Sequence, residues 1–372
     1  MTLNGIITIV RTVLVRTLPY KSNEKYEVIP LDELLQIDKL PFKITRAMML
    51  DIVYTAQMLS SYEEASIEVE RHYGFSISPT LVRKVTVLIG NLIFQNDLEK
   101  ALKTEKNIVN SIDNKSSKME GILYILTDGA AINTRVQDKN GSTWRENKLG
   151  MAFSSDNVIK RGRSEKSGHK IIKKEYTSFI GSANDFGKFI YQIAINQGYG
   201  QYKTVIILSD GATWIRNLCH LLFPDAIQIL DLYHLEENVY NFAKCIFKNV
   251  EIKYKHWSKM IIKYIVDGNI EKAIKEIENI NPKKIPKNTV NLLGYIINNI
   301  DKINYKEYKE KGYYIGSGSI ESGNKTILQR RLKQAGMRWG VNSAQALLTI
   351  RAKVESGLWQ EVKRLVFNTD FN

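Results

Sequence analysis

The sequence predicts an α/β protein whose sheet gathers carboxylates along one edge and whose chain is later interrupted by a block of helices. Three observations carry this. The run Thr204–Leu208 is short, apolar and β-branched, and gives way to Ser209-Asp210-Gly211-Ala212. An earlier run, Gly121–Leu126, gives way to Thr127-Asp128-Gly129-Ala130, the same hydroxyl-Asp-Gly-Ala pattern 82 residues upstream. Between Val239 and Gly312 the apolar residues recur at helical spacing. Short apolar runs bounded by turn residues mark buried strands. Loops past the carboxyl ends of strands in an α/β sheet are where reactive groups converge.

Composition bounds the partners. The 372 residues carry a net charge of +14, spread over most of the chain, so an acidic polymer is expected, nucleic acid first. No apolar run reaches the roughly 18 residues that would span a membrane. The segment Ile6–Val15 is cut by Arg11 and lacks a cleavage site, which argues against a signal peptide. Cys219 and Cys245 lie in apolar helical patterns and suit a reducing compartment, so a cytoplasmic, nucleoid-associated location is expected. No Cys-x-x-Cys pair and no Walker glycine loop occurs.

Residues 1–40 read as a small β-hairpin, Asn4–Leu18 against Glu24–Pro30, followed by a short helix and linker. Residues 41–118 read as a helical unit and linker. Thr45–Ser60 and Tyr62–Tyr73 are helices, and Gly74 stops the second. Ser78 and Pro79 cap and open a third, Thr80–Phe94, with Arg83 and Lys84 near its start. This is a helix-turn-helix pattern, which any three-helix bundle can also produce. Asn96–Lys118 reads as an exposed helix and linker.

Residues 119–238 hold the strands: Gly121–Leu126, Thr143–Phe153 and Lys173–Ile180, then helix Asn184–Tyr199, strand Thr204–Leu208, helix Ala212–Phe223 and strand Ala226–Leu232. A basic polar loop, Lys160–Lys170, joins the second and third strands. Three strands followed by alternating helices and strands is the order of an RNase H-like fold. Residues 239–312 read as an all-helical insertion, and 313–372 as the helices that complete the core.

Two close carboxylates repel and need protons or cations between them. Oxygen-only clusters suit Mg²⁺ or Mn²⁺, and two such ions about 4 Å apart serve phosphodiester chemistry. Asp128 and Asp210 are one pair of candidates, and Glu321, after the Gly316-Ser317-Gly318-Ser319 turn, is the third. Plainer roles exist for each: turn chemistry for the Asp-Gly steps and helix capping for Glu321. Lys325, Arg330, Arg331, Lys333 and Arg338, with Trp339, extend the helix after Glu321 as a face that can hold phosphates and stack on a base; a solvated basic face would look the same. Asp231-x-x-His234 lacks further ligand spacing and reads equally well as a buried Asp–His hydrogen bond.

The chain resembles bacterial insertion-sequence DDE transposases of the Mutator-like group, nearest in pattern to the ISKra and ISLre types. The resemblance rests on Thr127-Asp-Gly129, Trp144–Gly150, Leu208-Ser-Asp-Gly211, Asp231-Leu-Tyr-His234, Gly316–Glu321 and Gly336-Met-Arg-Trp339, with Leu348–Arg351 and Ser356–Trp359 after them, in the expected order along nearly the whole chain. It implies that Asp128, Asp210 and Glu321 form a metal-binding catalytic triad for Mg²⁺, with Mn²⁺ as substitute. It implies that Asp231 and His234 are an accompanying signature. It also implies partners: element ends and target DNA, no membrane, and a homodimer or higher oligomer on DNA. Proteins of that type often carry a longer N-terminus with cysteine pairs, absent here. The expected function is metal-dependent DNA cleavage and strand transfer. The alternatives are a truncated, non-catalytic DNA-binding relic and a two-carboxylate hydrolase such as a glycosidase.

Overall fold

The computed structural model describes residues 36–108, 118–160, 169–280, 285–286 and 289–371. The expected hairpin of residues 1–40 lies outside these apart from the short 3₁₀ turn Ile37–Lys39, and so does most of the basic loop after Lys160.

Three helices open the described chain: α1 (Arg46–Met58), α2 (Tyr62–Tyr73) and α3 (Pro79–Ile108). The Thr45 hydroxyl accepts from the Met48 amide and Ser61 from the Glu64 amide, which satisfies free donors at both helix starts. Gly74 ends α2 at φ 71°, a left-handed conformation that glycine adopts without strain. The expected stop of α3 at Phe94 is corrected: the helix runs through Asn96 and Asp97 to Ile108. Neither residue breaks a helix, and the Asp97 carboxylate lies 2.9 Å from the largely buried Lys353 ammonium.

These helices are not a free-standing unit. Met49, Ile52, Val53, Val85 and Ile89 share one core with Ile350, Val362 and Val366 of the last two helices, α13 (Val341–Glu355) and α14 (Trp359–Asn368), as numbered below. Burying each side chain of this size contributes about 1.5–3 kcal/mol, so the two ends of the chain stabilise one another.

The sheet is mixed. β1 (Met119–Asn133) pairs antiparallel with β2 (Trp144–Ser154), and β2 antiparallel with β5 (Glu175–Ile180). β3 (Val158–Lys160) and β4 (His169–Ile171) form a separate two-stranded ribbon. On its other side β1 runs parallel to β6 (Tyr202–Ser209), and β6 parallel to β7 (Ile227–Leu230), giving the order β5-β2-β1-β6-β7. α4 (Ala183–Asn196) and α5 (Thr213–Leu222) cover one face, with Phe186, Ile190 and Leu218 against Leu123, Ile125 and Ile207. Tyr124, Leu126, Leu149 and Leu208 point to the opposite core. The alternation along β1 is the period-two pattern that a sheet buried on both faces still obeys.

β1 is longer than expected. It continues past Leu126 because Asp128–Asn133 stay paired with Leu149–Trp144 of β2 after the parallel pairing to β6 has ended. Asp128 therefore sits within a strand, not in a loop beyond one.

The helical block follows: α6 (Leu232–Ile246), α7 (Glu251–Val266), α8 (Ile270–Glu278), α9 (Leu292–Asn298) and α10 (Tyr305–Glu310). α6 starts at Leu232, so residue 239 lies inside a helix that begins at the sheet. The block is tied to the strand ends: the Tyr295 hydroxyl donates to the Asp210 carbonyl at 3.0 Å and Tyr305 to the Leu230 carbonyl at 2.9 Å. The chain returns through α11 (Gly318–Gly323), a π-helical turn (Asn324–Gln329), α12 (Arg330–Leu332) and then α13 and α14. The buried Arg351 guanidinium donates to the Thr326 and Ile327 carbonyls, which the π turn offers to it. Among the described residues no helix is long and apolar enough to cross a membrane.

Candidate active site

The parallel register places two acids. β1 and β6 pair rung by rung from Ile122–Thr204 to Leu126–Leu208. Asp128, within β1, and Asp210, just past the end of β6, each come two residues after that last rung. At Gly211, φ is 82° and a Cβ would meet Leu230 Cδ1 at 2.8 Å and Asn299 Oδ1 at 2.9 Å. Only glycine turns the chain there, and the turn is held by Asp210 Oδ1 accepting from the Ala212 amide at 2.9 Å.

Glu321 arrives from α11, opposite Asp128. An open cleft of about 720 Å³ is lined by Asp128, His234, Glu321, Asn324, Lys325 and Lys333, among others. Burial pushes the Asp128 carboxyl above the usual carboxylate range, and the nearby Asp210 charge pushes it further. Hydrogen bonds from Asn324 Nδ2 and the Gly129 amide pull it back in part. Glu321 is raised too, first by burial and then by the Asp231 charge, with a smaller push from Asp128. Desolvated carboxyls pushed up by neighbouring negative charges are what a cation relieves.

Asp231 is fully buried at the start of α6. Its Oδ1 accepts from the Ser317 amide at 2.8 Å and its Oδ2 from the Ser317 hydroxyl at 2.5 Å. Asp231 thus anchors the turn that delivers Glu321. His234 Nε2 lies 3.8 Å from Asp231 Oδ2, too long for the expected hydrogen bond, and the ring borders the cleft.

The basic residues divide. Lys325 and Lys333 are exposed on the cleft rim, Arg330 and Arg338 are exposed outside it, and Arg83 and Lys84 are exposed on the first turns of α3. Arg331 and Trp339 are corrected: both are buried and neither is a surface contact. The Arg331 guanidinium lies 4.8 Å from the Tyr62 ring centre and 5.2 Å from that of Trp339, and donates to the Ala56 and Ser60 carbonyls at the end of α1. Trp339 Nε1 donates to the Leu332 carbonyl. Helical spacing put Arg331 beside Arg330 but carried no sign of α1, whose terminal carbonyls lie some 270 residues upstream and claim it.

Sequence reading missed three residues. Ser317 connects Asp231 to the Glu321 turn, Asn324 grips Asp128, and Arg351 holds the π turn. Ser317 and Arg351 lie within the Gly316–Glu321 and Leu348–Arg351 motifs, which gave them no role, and the signal for Asn324 was an amide three residues after Glu321. The Trp144–Gly150 motif forms most of β2, with Asn147 buried and bonded to Ser178, and with Lys148 paired to Glu146 at 2.6 Å.

The donors are all oxygens, which fits Mg²⁺ or Mn²⁺ in kind. One oxygen, Asn324 Oδ1, is buried at the site with no partner. Among the described residues, no three His, Cys, Asp or Glu side chains converge closely enough to share one ion.

No curated protein matches the chain. The model of the uncharacterised protein family UPF0236 matches residues 1–366, and the chain belongs to that family.

Proposed function

We propose that this family member is a DNA transposase whose mixed sheet is an RNase H-like core. The observation that carries the proposal is that Asp128 and Asp210 each follow by two residues the last parallel rung between β1 and β6, with Asp128 and Glu321 lining one cleft rimmed by Lys325 and Lys333. The strand order supports the fold: an antiparallel β5-β2-β1 half, then β6 and β7 parallel to β1.

In this reading Asp128, Asp210 and Glu321 hold Mg²⁺, or Mn²⁺ in its place. Divalent cations bound there would activate an attacking oxygen and stabilise the leaving one in an in-line displacement at phosphorus. The chain's own groups do the rest. Lys325 and Lys333 hold the phosphates that flank the scissile bond, as point charges on the rim. Asp231, through Ser317, keeps the Glu321 turn in register with the strand ends. Tyr295 and Tyr305 brace the Asp210 and Leu230 carbonyls from the helical block. Arg83, Lys84, Arg330 and Arg338 are the outer cations available to a longer stretch of duplex.

The test is strand cleavage and joining on a labelled fragment carrying the element's own ends, wild type against Glu321→Gln, in Mg²⁺ and in Mn²⁺. Metal-dependent joining by wild type alone is the expected result. The incomplete convergence of the acids favours one other reading, a DNA-binding relic. Salt-sensitive binding without cleavage by either protein would establish that reading instead.

A further inference from the structure

The side chain of Asn324 is 3 % exposed and sits on the floor of the cleft, in the first position of the π-helical turn. Its two amide atoms are in opposite situations. Nδ2 donates to Asp128 Oδ2, whereas Oδ1 is buried without any partner. A buried amide oxygen left without a donor forfeits its hydration, and such groups call for an explanation. A protein donor is one explanation, and none reaches it. The others are a water and a cation.

Asp128 narrows the choice. Its Oδ1 accepts from the Gly129 amide at 2.8 Å and its Oδ2 from Asn324, so both oxygens are held by neutral donors. These donors moderate a carboxylate that burial and Asp210 make costly. Any cation that Asp128 binds takes over that task and competes with the Asn324 donor. An amide that turns about its terminal bond then offers its oxygen in place of its NH₂. Asparagine oxygen is an ordinary ligand for hard divalent cations.

We infer that Asn324 is a further ligand of the divalent-cation site and exchanges its amide donor to Asp128 for its free oxygen when the cation binds. The inference rests on the reading of Asp128, Asp210 and Glu321 as a metal site. It adds a neutral fourth donor, which lets the site gain coordination without gaining charge. The π turn suits the role, because such turns re-aim single side chains within a helix and recur at functional sites. Arg351 fixes this one by capturing the Thr326 and Ile327 carbonyls.

The experiment is Mn²⁺ binding to the full chain without DNA, read as the loss of free-Mn²⁺ electron paramagnetic resonance signal and as the metal-induced rise in unfolding temperature. Asn324→Leu removes the oxygen while roughly keeping the volume and is expected to weaken Mn²⁺ by roughly tenfold or more. Asn324→Asp keeps an oxygen but adds a charge. It is expected to unfold at a lower temperature than wild type without metal, and to bind Mn²⁺ at least as tightly. If Asn324→Leu does not fold, Asn324→Asp decides alone: weakened Mn²⁺ binding by it overturns the inference. Equal Mn²⁺ affinity in wild type and Asn324→Leu overturns the inference while the metal-site reading stands. No Mn²⁺ uptake by wild type overturns both.

Discussion

Asp128 and Asp210 each follow by two residues the last rung of the parallel pairing between neighbouring strands, the one that joins Leu126 to Leu208. The offset of that rung equals the spacing of the two aspartates, so any shift of register would pull them apart. Replacing either with Asn keeps the shape and removes one anionic ligand. Metal-assisted charge stabilisation is worth several kcal/mol, so each change is expected to lower strand cleavage by roughly three orders of magnitude while DNA binding persists. Gel-shift and cleavage assays on one preparation check this; a variant that cleaves at wild-type rate would remove that aspartate from the site.

The raised carboxyls predict an unusual pH response. A carboxyl whose folded pKa lies above its unfolded value contributes stability that is complete below the unfolded value and lost as pH rises through the folded one. Asp128 and Glu321 are both of this kind, with His234 and Asp231 facing them. Glu175, buried beside Lys353 and Asn196, is raised as well. These three carboxyls are therefore expected to contribute a gain in stability to the metal-free protein as pH falls from neutrality toward the ordinary carboxylate range of about 4, against the loss from lowered carboxyls such as Asp138 and Asp185. Asp128→Asn should remove part of that gain, and saturating Mg²⁺ should remove it by stabilising the neutral-pH form. Urea midpoints across pH, with Mg²⁺ and with chelator, decide it.

Arg331 and its neighbours separate packing from DNA contact. Arg331 makes two carbonyl hydrogen bonds and lies between two rings inside the protein. Arg331→Ala leaves the Ala56 and Ser60 carbonyls without their donor and is expected to cost about 3 kcal/mol or more, since hydrogen bonds to charged groups are worth 1.5–3 kcal/mol each. Lys325→Ala and Lys333→Ala are expected to leave the unfolding midpoint within about 0.5 kcal/mol of wild type. They should instead weaken DNA binding and flatten its salt dependence by about one unit of slope per lost phosphate contact. A DNA-binding loss for Lys325→Ala that does not change with salt would show that it holds no phosphate.

The difference between Lys325 and Arg331 also shows how far the sequence reaches. Strand runs, the doubled Asp-Gly step and the 82-residue spacing are local or periodic signals, and they are matched by the parallel register of β1 and β6, which Asp128 and Asp210 each follow by two residues. The place of Glu321 in the first turn of a helix was legible because a glycine-serine turn precedes it. Arg331, Arg351, Ser317 and Asn324 have roles set by partners far away in the chain: α1, the π turn, Asp231 and Asp128. No periodicity encodes such contacts. The reach of α3 was missed for a related reason, because a polar Asn96-Asp97 step reads as a boundary until Lys353 is placed against it.

Gly90 tests whether the N-terminal helices stand alone. It is buried in α3 where that helix crosses α13, and a Cβ there would meet the Ala346 carbonyl oxygen at 2.5 Å and the Ala346 Cβ at 2.6 Å. By helix propensity alone Gly90→Ala should stabilise by about 1 kcal/mol. The neighbour is backbone and cannot swing aside, so overpacking at about 1–3 kcal/mol is expected to win, and the net effect is destabilising. Because Ile350, Val362 and Val366 share a core with α1 and α3, the loss should register in one cooperative urea transition of the whole chain. A separate early transition, with the sheet still folded, would mean that the helical unit is an independent domain after all.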